Sequence, residues 1–261
     1  MQKRQLAQTD IFITPLIWGT VKIGRNEGMK YPEAFAIPDT KTVAQLLSLV
    51  KDLGINALDT APAYGESESR LGPLLKGQRH DWVLISKAGE SFENGESHFA
   101  FDKKSIETSV ENSLRRLQTD HLDVLLIHSD GRDEAIIHEE HVFETALALK
   151  KAGKIRSFGM SSKTVPGGLK TLEQADVAMV THNLSYHDEL PVIEAAATLH
   201  KGILIKKAFA SGHVVHNVSE DLVTESFKEI FSHPGVTAIV MGSINSKHIK
   251  ENVEKLNAVL K

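Results

Sequence analysis

The chain has 261 residues, 41% of them apolar and 25% charged, and a formal net charge of −4 at pH 7; such a composition belongs to a globular chain able to bury a core without covalent staples. It contains no Cys, which excludes disulfides, zinc–thiolate sites and cysteine nucleophiles. The mild acidity and lack of a long basic run argue against nucleic acid as the main partner, and no apolar stretch approaches membrane-spanning length.

In chain order, Met1–Phe12 is polar and lacks the apolar core of a secretory signal, so the expected location is the cytoplasm. The residues before Pro15 are expected to form a short hairpin. Short apolar runs bounded by polar residues or Gly then recur along the chain, as strands buried on both faces should. The first four are Pro15–Thr20, Asn56–Thr60, Val83–Ala88 and Val124–His128. Ser157–Ser162, Ala178–Asn183, Ile203–Ala208 and Ala238–Gly242 complete the set. Helical patterns separate most of them. Thr40–Leu53 places Val43, Leu46, Leu47 and Val50 on one face before the stop at Gly54, and Ser105–Leu117 does the same with Ile106, Val110 and Leu114. Phe143–Lys151, Glu189–His200 and Asp221–Phe231 continue the alternation, while Pro166 followed by Gly167–Gly168 reads as a turn. The expected fold is α/β, a (β/α)₈ TIM barrel formed by residues 1–261 as a single domain, with a short N-terminal hairpin closing the bottom.

Such barrels place their chemistry at the carboxyl ends of the strands. Asp59, Lys87 and His128 stand at or near the ends of predicted strands, and Tyr64 lies on the loop five residues after Asp59. The segment DTAPAYGESESRLG (Asp59–Gly72), the Ser86–Lys87 pair and LDVLLIH (Leu122–His128) resemble the aldo-keto reductases. KIRSFGMSS (Lys154–Ser162) and the run from Met241 to Asn252 follow in the order the family would show. The resemblance covers nearly the whole chain and implies Asp59, Tyr64, Lys87 and His128 as the catalytic residues of an NAD(P)H-dependent carbonyl reductase. Elementary chemistry agrees. Carbonyl reduction needs a hydride at carbon, which the cofactor supplies, and a proton at oxygen. A phenol is a weak acid, with an ordinary pKa of about 10, and a nearby ammonium stabilises its anion. Lys87 would do this for Tyr64, Asp59 would keep Lys87 charged, and His128 would donate to the substrate oxygen or relay a proton.

No GxGxxG fingerprint is present, so a Rossmann site is not supported. The family resemblance instead implies a cofactor lying across the barrel mouth, NADPH with NADH as the alternative. Gly242, Ser243, Asn245 and His248 would form the adenosine-phosphate cradle, although the same stretch also reads as a polar turn and helix cap. Glu251 and Asn252 would meet the adenine, Ser161 and Asn183 the nicotinamide, and Gly19 and Thr20 the edge of the cofactor. Several positions depart from the family pattern. Gly242 and His248 replace a frequent Lys and Arg, which weakens contacts to a 2′-phosphate. Met179 and Ser162 replace a frequent Gln and Asn, and Lys206 stands where an aromatic residue usually stacks. Lys206 and Lys207 would bring charge to the pyrophosphate, or else one of them is a solvated strand end.

No metal site is expected. His138 with His141, and His213 with His216, have ligand-like spacing but no third partner, and read as surface histidines. The loop Val21–Asp39, with Trp18, Tyr31 and Phe35 nearby, is the long one, and an open site for small or varied aldehydes is expected. The partner is a small carbonyl compound, with neither nucleic acid nor membrane involved, and a monomer is favoured. The competing reading is a cofactor-binding, redox-sensing regulatory subunit with weak reductase activity. A metal-dependent barrel hydrolase lacks ligands.

Overall fold

Parallel strands joined by helical crossovers are stable only when both faces of the sheet are covered, and this chain covers one face with helices and the other by closing the sheet on itself. The computed structural model describes residues 1–28, 34–209 and 221–261. Tyr31, His213 and His216 therefore lie outside the described residues. An antiparallel pair comes first, β1 (Arg4–Gln5) and β2 (Phe12–Ile13). The barrel begins with β3 (Leu16–Gly19), followed by α1 (Thr40–Asp52), β4 (Ala57–Asp59), α2 (Ser67–Leu75) and β5 (Val83–Ala88). A small hairpin, β6 (Glu90–Glu93) and β7 (Glu96–Phe99), precedes α3 (Lys103–Leu117) and β8 (Leu122–His128). Then come α4 (Asp133–His138), α5 (Val142–Lys151), β9 (Ile155–Ser161), α6 (Val165–Gln174) and β10 (Val177–Thr181). The chain ends with α7 (Leu190–Leu199), β11 (Gly202–Lys206), α8 (Leu222–Phe231), β12 (Val236–Met241) and α9 (Ser246–Val259). β3, β4, β5, β8, β9, β10, β11 and β12 pair in parallel in that order, and β12 returns to β3 to close the barrel.

The helices begin and end where local chemistry allows. Asp39 accepts from Thr42 N at 2.7 Å to cap α1, and Gly54 at φ +83° carries the chain out of it. Gly167–Gly168 is a correction: the pair lies inside α6, not in a turn. Thr164 caps that helix by accepting from Gly167 N at 3.1 Å, and Pro166 suits its first turn. The glycines serve packing, since a Cβ on Gly167 would fall 2.1 Å from Asp133 Cβ and one on Gly168 would fall 2.7 Å from Val192 Cγ2. Two predicted strands end two residues earlier than expected, β10 at Thr181 and β11 at Lys206, because the chain leaves the sheet there to build loops.

Pleating sorts the strand residues. Ile17, Ala57, Val83, Ile85, Val124, Leu126, Val177, Met179, Leu204 and Ala238 fill the barrel, together with Leu6, Ile11 and Ile13 from the N-terminal hairpin. The hairpin thus closes the bottom, as expected. The alternate residues, such as Trp18, Leu58, Leu84 and Leu125, pack outward into the core shared with the helices.

Candidate active site

The period of two that fills the barrel also delivers its chemistry. Ala57 faces inward, so Asp59 does; Val83 and Ile85 face inward, so Lys87 does; Val124 and Leu126 face inward, so His128 does. Each is the last inward position of its strand. Lys87 Nζ donates to Asp59 Oδ1 at 2.6 Å and to Thr60 O at 2.9 Å, and only 1% and 3% of the two side chains are exposed. A pair so buried loses hydration, which close geometry and the extra carbonyl contact offset. Tyr64 ends a 3₁₀ turn, Pro62–Tyr64, and its hydroxyl donates to Asp59 Oδ2 at 3.4 Å. The Lys87 ammonium lies 4.6 Å from the centre of the Tyr64 ring, and the His128 ring meets that ring edge-on at 6.4 Å. Gly65 makes this approach feasible. It sits at φ +60°, Glu66 N donates to Gly24 O at 3.1 Å, and a Cβ on Gly65 would lie 2.3 Å from that same oxygen.

Sequence reasoning missed Glu90. Its Oε2 lies 2.8 Å from His128 Nδ1, an ionic contact whose direction falls outside good hydrogen-bond geometry. Ser97 donates to its other oxygen at 2.6 Å. Burial alone would push the Glu90 carboxyl up, but the His128 ring and the Ser97 hydroxyl together pull it down to about 2. Burial pushes His128 below the ordinary histidine value against the opposing pull of Glu90, with Lys87 and Lys206 adding to the depression. The available signal was a carboxylate three residues beyond Lys87, just past a strand end.

A cavity of about 660 Å³ opens beside these residues. Asp59, Tyr64, Lys87 and His128 line it, as do Gly19, Thr20, Ser161 and Lys207. Gly242, Ser243, His248, Glu251 and Asn252 line its far side, towards α9. Asn183 and Asn245 are not in the lining. The Asn183 side chain donates to Lys207 O at 3.1 Å and accepts from Ser185 N at 3.0 Å. Asn245 caps α9, its Oδ1 accepting from Lys247 N at 2.9 Å and His248 N at 3.3 Å. Trp18, buried outside the barrel, donates from Nε1 to Ser243 O at 2.9 Å and so holds the loop before α9. Lys206 donates to Ser161 Oγ at 3.0 Å and Ser162 O at 2.6 Å, and burial draws its ammonium down to about 8. A nicotinamide dinucleotide suits this cavity. Met179 and Val240 give it apolar wall, Lys206, Lys207 and Lys255 bring positive charge, and the hydroxyl of Ser243 and the side chains of Glu251 and Asn252 stand at the far side.

Inward-facing polar side chains at strand carboxyl ends, opening on a basic cavity, define an enzyme of the (β/α)₈ class. The family model described as the aldo/keto reductase family matches residues 15–212, and the chain belongs to that family. It is therefore an NAD(P)H-dependent oxidoreductase of carbonyl compounds. The oxidoreductase YqkF of Bacillus subtilis, itself uncharacterized, is 26% identical over 298 residues, covering 99% of this chain and 92% of that protein. The methylglyoxal reductase YeaE of Escherichia coli is 28% identical over 247 residues, covering 84% of this chain and 81% of its own. Among solved structures, PA4992 of Pseudomonas aeruginosa, of the aldo-keto reductase type, superposes with a TM-score of 0.91 at 47% identity, covering 99% of this chain and 95% of that one.

Proposed function

We propose that this protein reduces aldehydes or ketones to alcohols with NADPH, and that Tyr64 is the proton donor. The observation that carries the reading is the buried Lys87–Asp59 pair set beside the Tyr64 ring. Bound cofactor supplies the hydride. Tyr64 gives its hydroxyl proton to the carbonyl oxygen, and the Lys87 ammonium stabilises the negative charge left on the phenol oxygen. Asp59 fixes Lys87 and keeps its charge compensated. His128 faces the same space from β8, the strand beside that of Lys87, and orients the substrate oxygen. Ser161, Lys206 and Lys207 suit the nicotinamide and pyrophosphate side of the cavity, with Asn183 holding the Lys207 carbonyl. Ser243, His248, Glu251 and Asn252 suit the adenosine side, where Asn245 shapes the start of α9 and Gly242 keeps the approach open. Gly19 and Thr20 border the cofactor from β3.

We read the active unit as a monomer that acts in the cytoplasm. Among the described residues no helix is long and apolar enough to cross a membrane. The likeness to a methylglyoxal reductase puts small α-oxoaldehydes first in a substrate panel run with NADPH and NADH in parallel. Replacing Tyr64→Phe should lower turnover by about 10²- to 10⁴-fold, the usual worth of a positioned proton donor, while NADPH affinity stays at the wild-type value. Wild-type turnover in that variant would remove Tyr64 from the chemistry. Tighter binding and faster reduction with NADH than with NADPH would overturn the cofactor assignment.

A further inference from the structure

A second group of convergent side chains lies outside the catalytic cavity. His182, directly after β10, is fully buried, and neither of its ring nitrogens has a hydrogen-bond partner among the described residues. A buried polar group left in that state is uncommon enough to call for a missing partner, an ion among the candidates. Three more side chains surround it. His187 comes from the β10–α7 loop, Glu229 from the last turns of α8, and His233 from just beyond that helix. All three imidazoles converge on one carboxylate oxygen. Glu229 Oε1 lies 3.4 Å from His182 Nε2, 3.5 Å from His233 Nε2 and 3.6 Å from His187 Nδ1.

Those separations are those of ligand atoms around a small cation. Bonds of about 2.0–2.1 Å to a tetrahedral zinc place neighbouring donors about 3.4 Å apart. The donor atoms of His182, His187 and Glu229 all lie within 4.8 Å of one another. The His233 ring stands 5.0 Å from that of His182 and nearly perpendicular to it. Imidazole with one carboxylate suits borderline ions such as Zn²⁺, Co²⁺ or Ni²⁺ rather than Mg²⁺ or Ca²⁺. An entry path exists, because the His187 side chain is 48% exposed and that of Glu229 33%, while His182 forms the floor.

We infer that His182, His187 and Glu229 bind a divalent transition-metal ion, zinc foremost, with His233 turning in as the fourth ligand. The site joins the β10–α7 loop to the end of α8, elements more than forty residues apart, and four protein ligands would close the coordination sphere, as in a structural clasp. It is independent of the reductase reading, since none of its four residues lines the catalytic cavity.

The test is a titration of the tag-free, chelator-stripped full chain with Zn²⁺ against a chromophoric chelator, repeated with Co²⁺ in the visible range. Wild type should take up one tightly bound equivalent, show the intense visible bands of tetrahedral Co²⁺, and melt several degrees higher with zinc than without. His187→Ala and Glu229→Gln, both at partly exposed positions, should each weaken binding at least about tenfold, since even outer partners of a ligand cost about 10- to 100-fold. His138→Ala should change nothing. Absence of a tight equivalent in wild type overturns the site, and so does equal affinity in wild type and both ligand variants. The wild-type stoichiometry and spectrum stand even where a variant fails to fold.

Discussion

Glu90 sets what His128 can do. An ionised carboxylate only accepts, so the ring nitrogen facing it carries a proton, and a neutral His128 then presents Nε2 to the cavity as an acceptor. To donate to a substrate oxygen, His128 must be the imidazolium. Burial opposes that form, the positive charges of Lys87 and Lys206 oppose it further, and Glu90 supports it. Replacing Glu90→Gln removes the supporting charge and lowers the His128 value further. The pH at which reductive kcat/KM begins to fall should therefore move down. A pH–rate profile from about pH 5 to 9 reads this directly, and a profile identical to wild type would show that Glu90 does not act through His128. Asp59, Lys87 and His128 were legible in the sequence because strand ends in a barrel converge whatever their separation along the chain. Glu90 was not, because it sits on a hairpin whose residues follow no apolar period. The His182 cluster was hidden for a related reason. His182 and His187 stand five residues apart, but the carboxylate that joins them comes from α8.

At the level of elements, the position of Lys87 depends on what lies behind β5. Glu68 on α2 is fully buried and accepts from Ser86 Oγ at 2.6 Å, Arg116 Nε at 2.8 Å and Ser113 Oγ at 3.1 Å. It thus ties α2 to α3 and to the outward face of the strand next to Lys87. A Cβ on Gly72 would lie 2.2 Å from Arg116 O, so the two helices approach as closely as their backbones permit. Removing the carboxylate by Glu68→Ala leaves the guanidinium and two hydroxyls without their acceptor. The expected loss is about 3 kcal/mol of unfolding free energy, read as a lower urea midpoint at unchanged slope. A loss below about 0.5 kcal/mol would mark the network as inert. α1, α3, α5, α7 and α8 follow the helical period closely enough to be read from sequence. α2 and α6 do not. The first buries a carboxylate where the pattern asks for an apolar residue and contains Pro73, and the second opens with the Pro–Gly–Gly run of a turn. In both, contacts across the fold override local preference.

Across the whole molecule, stability and chemistry occupy opposite ends of one barrel. The mouth holds the Asp59–Lys87 pair, two opposite charges taken out of water at the carboxyl ends of β4 and β5. The bottom is sealed by Leu6, Ile11 and Ile13, which are almost wholly buried among the inward residues of the strands. Leu6 is seated so closely that a Cβ on Gly202, at the start of β11, would lie 2.6 Å from its Cδ1. Arg4 reinforces the seal by donating to Val236 O at 3.0 Å, at the start of β12. Leu6→Ala opens a cavity that neither a fixed hairpin nor a closed barrel can collapse around, so the cost should fall in the usual range of about 2–5 kcal/mol. At about 2–4 °C per kcal/mol for a chain near this size, the melting temperature should drop by roughly 4–20 °C. Below the new transition, KM for the carbonyl substrate and affinity for NADPH should match wild type, because the substitution touches no residue of the mouth. A raised KM with an unchanged melting temperature would reverse the division, placing the hairpin in the service of the site and not of the fold.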